Sequence, residues 1–169
     1  YIQESMTFLE HDNILEEAHR RFQELEAGEK PWIRIGTAVC GEAAGASSVV
    51  EAFRAELDRR DIAANVSMVG CLGLCYAEPL VDILKPGKPR VFYKNVTSEM
   101  VPGLVDSYLA GDDPRPDLAL GYLGDEEVDG IIRLDDLPMW NRQVRIALRN
   151  CGHIDPLDIY QYIARGGYA

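Results

Sequence analysis

The spacing of hydrophobic positions changes several times along the chain, and each change marks an element. Ile14, Leu15, Ala18, Phe22 and Leu25 recur at three- and four-residue intervals, with Glu16, Glu17, Arg20, Arg21 and Glu24 between them. That pattern predicts an amphipathic helix ended by Gly28. Trp32 to Thr37 reads as a short strand, and Gly41 to Gly45 as a glycine/alanine loop. Ser48-Val-Val-Glu51 has the spacing of a capping box, opening a helix that turns Val50, Phe53 and Leu57 inward. Ala64, Val66 and Met68 alternate with Asn65 and Ser67, the period of a half-buried strand. Two more apolar runs, Leu80 to Leu84 and Val91 to Tyr93, flank Lys85-Pro86-Gly87-Lys88-Pro89, a hairpin turn. Thr97 is placed to cap a last helix carrying Met100, Val101, Leu104, Val105, Tyr108 and Leu109, stopped by Gly111.

After an N-terminal helical arm over 1–29, the order is thus β-α-β followed by β-β-α. A right-handed βαβ unit beside a ββα unit predicts a thioredoxin-like α/β fold over residues 30–111. From 112 to 138 the chain turns rich in Asp, Pro and Gly, with Ile131, Ile132 and Leu134 as an apolar cluster, and reads as a linker. In 139–169 a helix is expected through Val144, Ile146, Ala147 and Leu148, ending at Cys151-Gly152. Another is expected to be capped by Asp155, with Pro156 in its first turn and Gly166-Gly167 closing it. Two helices this short cannot build a core alone, so they read as the start of a second domain.

Composition narrows the function. The 169 residues are 47% hydrophobic, enough for one domain with a real core, and carry a net charge of −11. Such a surface repels phosphate backbones and anionic lipid, which speaks against a nucleic-acid or membrane-surface role. No apolar run approaches the roughly 20 residues of a membrane span, and no secretory leader is expected, so a cytoplasmic setting is. In that reducing setting Cys40, Cys71, Cys75 and Cys151 read as metal ligands or redox thiols rather than a disulfide framework.

Cys40 follows the first strand, and Cys71 and Cys75 follow the second. Loops after neighbouring parallel strands emerge at one end of a sheet, so these three thiols are the candidate metal ligands. Zinc is disfavoured, because none of the three histidines lies near them in sequence. The Cys71–Cys75 spacing also departs from the C-x-x-C of thiol oxidoreductases. Pro79, opening the strand after the loop, is a candidate for a cis peptide bond. Gly41-x-x-x-Gly45 is a weak anion-cradle pattern, and His153 near Asp155 reads as a neighbour of the cap.

The stretch Val69-Gly-Cys-Leu-Gly-Leu-Cys-Tyr-Ala-Glu-Pro-Leu-Val and the segment Arg90-Val-Phe-Tyr-Lys-Asn-Val-Thr resemble the thioredoxin-like 2Fe–2S ferredoxin family over about residues 30–111. The resemblance implies a 2Fe–2S cluster with Cys40, Cys71 and Cys75 among its ligands. In that family the first loop supplies two cysteines commonly four residues apart, and counting so from Cys40 lands on Gly45. Three readings stay open. A cluster is completed by Glu42, Ser47, Ser48 or water; the cluster has been lost and the cysteines are small packed residues; or Cys71 and Cys75 form a disulfide.

The run from Gly130 through Met139-Trp-Asn-Arg-Gln-Val-Arg-Ile-Ala-Leu-Arg-Asn-Cys-Gly-His to Tyr162-Ile-Ala-Arg-Gly-Gly-Tyr-Ala resembles the opening of the NADH-binding flavoprotein subunit of complex I-type NADH dehydrogenases, soluble hydrogenases and formate dehydrogenases. This implies an accessory electron-transfer domain fused ahead of a flavin domain, with the other subunits of such a complex as partners. FMN and NAD then belong to downstream segments of the parent subunit. No residue here is assigned as catalytic, the fragment alone is not expected to oxidise NADH, and Cys151 reads as a packed small residue rather than a ligand. The alternative is a cluster-free thioredoxin-like module that docks partner subunits.

Overall fold

The structure, a computed structural model, describes the backbone of residues 2–168 and the side chains of residues 12–168. Its elements are α1 (Ile2–Ala27), β1 (Trp32–Gly36), α2 (Val39–Ala43), α3 (Ala46–Arg60), β2 (Asn65–Val69), β3 (Val81–Leu84), β4 (Arg90–Tyr93), α4 (Val101–Leu104), β5 (Ala119–Leu123), α5 (Pro138–Asn141) and α6 (Ile159–Ala164). The strands form one sheet in the order β2-β1-β3-β4-β5. Strands β1 and β2 run parallel, pairing Trp32 with Asn65 and Gly36 with Val69, while the other neighbours are antiparallel. A parallel pair joined through α3, followed by a β3–β4 hairpin and α4, is the thioredoxin-like α/β arrangement that the sequence order predicts.

Alternation along the strands gives the sheet two dissimilar faces. Ile33, Ile35, Val81, Ile83, Val91 and Tyr93 point to one side, where Val50, Phe53, Leu57, Val101, Leu104 and Tyr108 from the helices complete the main core. The opposite face carries Trp32, Arg34, Asp82, Arg90 and Phe92, all buried. Here α1 and the C-terminal segment close over the sheet, with Phe22 and Ile154 packed on Trp32. Leu72, Leu74, Leu80, Phe92, Leu120 and Leu134 form a third apolar cluster beneath the cysteine loop.

Several local expectations are corrected. Helix α3 starts at Ala46, with Gly45 at its N-cap in the left-handed region and no side-chain cap, so Ser48 lies inside the helix. Thr97 makes no side-chain cap for α4, whose N-cap is Met100; the helix continues as a wider turn from Val105 to Ala110 and stops at Gly111 as expected. Val39–Ala43 forms a short helix where a loop was expected. The Asp/Pro/Gly-rich segment contributes β5, which pairs with β4 through a bulge at Phe92/Tyr93. Leu120 and Tyr122 bury there, and pairing satisfies backbone groups that β4 would otherwise leave open. No helix forms through Val144 to Leu148; that stretch is bends and turns, with Val144 and Ile146 exposed. The last helix is capped by Asp158, whose Oδ1 accepts the Tyr160 N–H at 2.9 Å, while Asp155 instead accepts the Leu157 N–H.

On the second face three charges are buried together. Asp82 accepts the Arg34 Nε–H at 2.8 Å and is gripped by Arg90 through both carboxylate oxygens at 2.6 Å each. A fork-on-fork pair of this kind is strong because both donor and acceptor are ionised. Arg34 also lies 4.0 Å over the Trp32 ring, and Trp32 donates to Ser67 Oγ. Arg90 reaches onward, donating to the Gly152 carbonyl at 2.6 Å and meeting His153 Nδ1 at 3.1 Å. The triad therefore anchors the C-terminal segment to the sheet. We predict that Asp82→Asn, which leaves two buried guanidinium groups without their carboxylate, costs about 3–5 kcal/mol in urea unfolding; a change below about 1 kcal/mol contradicts the anchoring role.

His153 sits against this cationic network. Burial first, and then the Arg90 charge, lower its pKa from 6.5 to about 4. Between those two pH values the unfolded chain takes up the proton and the folded chain does not. Stability from this group is complete above pH 6.5 and is lost as pH falls toward 4. Urea midpoints measured across that window should fall more steeply for the wild type than for His153→Gln; parallel profiles would refute the assignment.

Candidate functional site

The three candidate thiols stand at the end of the sheet where β1 and β2 finish. Cys40 lies in α2, four residues past β1, and Cys71 and Cys75 lie in the loop after β2. Leu72 and Leu74 point down into the apolar cluster and hold that loop, which ends in a single helical turn over Cys75–Ala77. Gly73 between them is exposed, and so are Cys75 and Tyr76 after them. The Glu78-Pro79 peptide bond is cis.

All four cysteines are free. Cys71 and Cys75 sulfurs are 3.8 Å apart, well beyond the roughly 2.05 Å of a disulfide. The same separation is what two thiolates held about 2.3 Å from one tetrahedral metal would have. The Gly73 backbone N–H donates to Cys71 Sγ at 3.2 Å. Cys40 belongs to the same constellation: its pKa is raised by hydrogen bonding to Cys75, by the Cys75 charge, by desolvation and by Glu78, while Cys71 acts the other way. Burial pushes the Cys71 thiol up to about 12, with Glu78 and Cys75 adding to the shift and the Gly73 N–H opposing it. Among the described residues, no group of three or more His, Cys, Asp or Glu side chains is preassembled to hold a single metal ion.

Two buried side chains beside the loop were not anticipated. Glu78 is only 6% exposed. Its Oε2 accepts the Leu80 N–H at 2.8 Å, whereas Oε1 is buried without a well-formed hydrogen bond. The carboxylate lies between the end of β1 and α2: a Cβ on Gly36 would stand 2.7 Å from Oε2, and one on Gly41 would meet both the Gly36 carbonyl and Oε2. Glycine at both positions lets the helix carrying Cys40 close onto this carboxylate. Arg145 is the other. All three of its guanidinium nitrogens are shielded from solvent and unpaired, and the group lies 4.0 Å over the Trp140 ring. Desolvation lowers its pKa, against the pull of Cys151 and Cys71.

The expected oxygen ligands in the first loop are placed differently. Glu42 and Ser47 are exposed and hydrogen-bonded to each other at 2.6 Å, and Ser48 is exposed on α3. Gly45 is also exposed, and a side chain there would meet nothing within 4 Å. Cys151 lies against Gly70, whose added Cβ would stand 3.3 Å from its sulfur, and Leu72 packs on Gly152. The C-terminal segment anchored by Arg90 thus forms one wall of the cysteine loop. A signal for Glu78 existed in the sequence, as an acidic residue inside the apolar Tyr76-Ala77-Glu78-Pro79-Leu80 run. Arg145 had none, because its apolar neighbours resembled a helix face. In the metal-free protein at pH 8, iodoacetamide should modify exposed Cys75 first and Cys71 at least about tenfold more slowly, as its scarce thiolate requires; equal rates would contradict the site described.

No family model matches the chain. Over 86 residues it is 33% identical to the NADP-reducing hydrogenase subunit HndB of Solidesulfovibrio fructosivorans, covering 50% of this chain and 68% of that protein. Over 63 residues it is 38% identical to a 2Fe–2S ferredoxin of Clostridium pasteurianum, covering 36% of this chain and 59% of the ferredoxin. It therefore spans less than two thirds of that ferredoxin. Among solved structures, a thioredoxin-like [2Fe–2S] ferredoxin from Aquifex aeolicus overlays with a TM-score of 0.47 at 20% identity, covering 55% of this chain and 98% of that one. A second structure of a thioredoxin-like [2Fe–2S] ferredoxin from the same organism gives 0.49 at 18% identity, covering 59% and 98%. At 33% identity over an alignment that covers 68% of that hydrogenase subunit, the chain belongs to the family of HndB.

Proposed function

We propose that residues 30–111 form an electron-transfer domain in which Cys40, Cys71 and Cys75 ligate a 2Fe–2S cluster, within a subunit of a multisubunit oxidoreductase. The observation that carries this reading is the meeting of the Cys71–Cys75 pair and the Cys40 helix with two sets of unpaired buried atoms, Oε1 of Glu78 and the guanidinium nitrogens of Arg145. A stable fold rarely leaves such groups without partners unless a bound species supplies them. When bound, a 2Fe–2S cluster supplies a one-electron centre whose potential follows its charge, exposure and hydrogen bonds.

The donor set suits a dinuclear centre better than a single ion. Each iron of such a centre takes two protein ligands, and Cys71 and Cys75 are already spaced as one pair. The Gly73 N–H donates to a ligand sulfur, and Arg145 brings further donors and a positive charge to the same loop. Leu72 and Leu74 exclude water from the inner side. Cys75 and Tyr76 keep the outer side open to a partner centre. Because ligand thiols must lose their protons, the raised Cys71 pKa makes loading favour higher pH.

The parent belongs to the same proposal. The resemblance of residues 130–169 to an NADH-binding flavoprotein subunit supports reading 139–169 as the start of a flavin domain. FMN and NAD would be held by the remainder of that domain, with hydrogenase, formate dehydrogenase or NADH dehydrogenase subunits as partners. Val144, Ile146 and Leu157 are each more than three-quarters exposed, apolar surface that a further domain or subunit would cover. The kinship to a hydrogenase subunit fits such an assembly. No helix among the described residues is long and apolar enough to cross a membrane.

A second reading, a cluster-free docking module, draws on the glycine at position 45 and on the lack of a preassembled single-ion group among the described residues. Iron and acid-labile sulfide separate the two. Anaerobically prepared protein should hold about two irons and two sulfides per chain, and Cys71→Ser should lose most of both. Iron-free, colourless wild type, or iron unchanged by Cys71→Ser, would reject the cluster.

A further inference from the structure

We infer that Glu78 is the fourth cluster ligand, binding through its carboxylate to the iron that Cys40 holds. The assignment rests on the cluster reading above and completes it. Two protein ligands per iron leave the Cys40 iron one short once Cys71 and Cys75 share the other. The position where related ferredoxins are expected to carry a second loop cysteine is here Gly45, exposed and facing open space. The oxygen donors beside it, Glu42 and Ser47, are tied to each other at the surface.

Glu78 meets the requirement on three independent counts. It is 6% exposed, so its charge lacks the water that normally stabilises a carboxylate. One oxygen is fixed by the Leu80 N–H at 2.8 Å, which orients the group, and the other is buried with no well-formed hydrogen bond. The carboxylate stands beside the Cys40 helix, since a Cβ on the next residue, Gly41, would lie 3.3 Å from its Oε2. Gly36 and Gly41 clear the space between the Cys40 helix and Glu78, space that any Cβ there would close. A carboxylate keeps the single negative charge of the thiolate it replaces. It is a harder donor than sulfur, however, so the two irons become inequivalent.

The test compares wild type with Glu78→Gln, which keeps the shape and can still accept the Leu80 N–H. Both are loaded anaerobically with ferrous iron and sulfide, and folding is checked by circular dichroism. Losing a direct ligand should weaken iron retention against a chelator by at least the roughly 10- to 100-fold that follows loss of a ligand's supporting partner. The visible bands and EPR g-values of whatever iron remains should shift. X-ray absorption at the iron edge of the wild type provides a check that needs no variant. It should show about one oxygen neighbour for every two irons. A sulfur-only shell overturns the assignment, and so does Glu78→Gln that retains its iron with unchanged spectra. Wild type that binds no iron at all instead overturns the cluster reading and takes the ligand assignment with it.

Discussion

The buried Arg34–Asp82–Arg90 cluster is the constraint on which the rest of this architecture depends. A mostly antiparallel sheet with one helix-covered face is free to leave the other face wet. Here that second face holds a carboxylate gripped by two guanidinium groups, with side-chain exposures of 3% for Arg34 and 4% for Asp82. Burying three charges is costly, and the cost is offset only if each finds a partner. Asp82 supplies one partner. The Gly152 carbonyl and His153, both from the C-terminal segment, add partners for Arg90, while Arg34 relies on Asp82 and the Trp32 ring. The strands therefore require the tail to fold back across them, and α1 closes beside it, with Phe22 edge-on to Trp32.

That requirement shapes the cysteine site. Once Gly152 is pinned, Cys151 lies against Gly70 and Leu72 rests on Gly152. The loop between Cys71 and Cys75 is thus held from below by its own leucines and from the side by the tail. Arg145 is brought to the same loop by the same chain reversal, stacked on Trp140. These contacts lie outside the main core, which draws on Tyr122 and Ile131 as well as on α3 and α4. Their effect is to enclose a small region of thiols and unpaired charge at the edge of an acidic molecule.

The thioredoxin-like core was legible because its signals are local and periodic. Alternation predicted β2, the Lys85-Pro86-Gly87-Lys88-Pro89 turn predicted the hairpin, and the helix stop at Gly111 was readable from composition alone. Strand β5 was not, because its short apolar run lies among Asp, Pro and Gly, and only pairing with β4 gives it a reason to be extended. The turns through Val144 to Leu148 misled in the opposite way: helical spacing without a surface to pack on does not make a helix. In the site, Cys40, Cys71 and Cys75 could be brought together by topology, since loops after parallel neighbours share an edge. Glu78 lies inside the Val69–Val81 stretch, but as one acidic residue in an apolar run it does not declare a role, and Arg145 lies outside any ligand motif. Their significance comes from buried polar atoms left without a partner, Oε1 of Glu78 and the guanidinium nitrogens of Arg145, a property of the fold that no spacing encodes.

The most direct test of the central claim, that this constellation holds a 2Fe–2S cluster, is EPR of the anaerobically isolated chain after reduction with dithionite. The account predicts a rhombic signal from one unpaired electron shared over two irons, integrating to about one spin per cluster. Protein that remains EPR-silent and iron-free under the same conditions would contradict it.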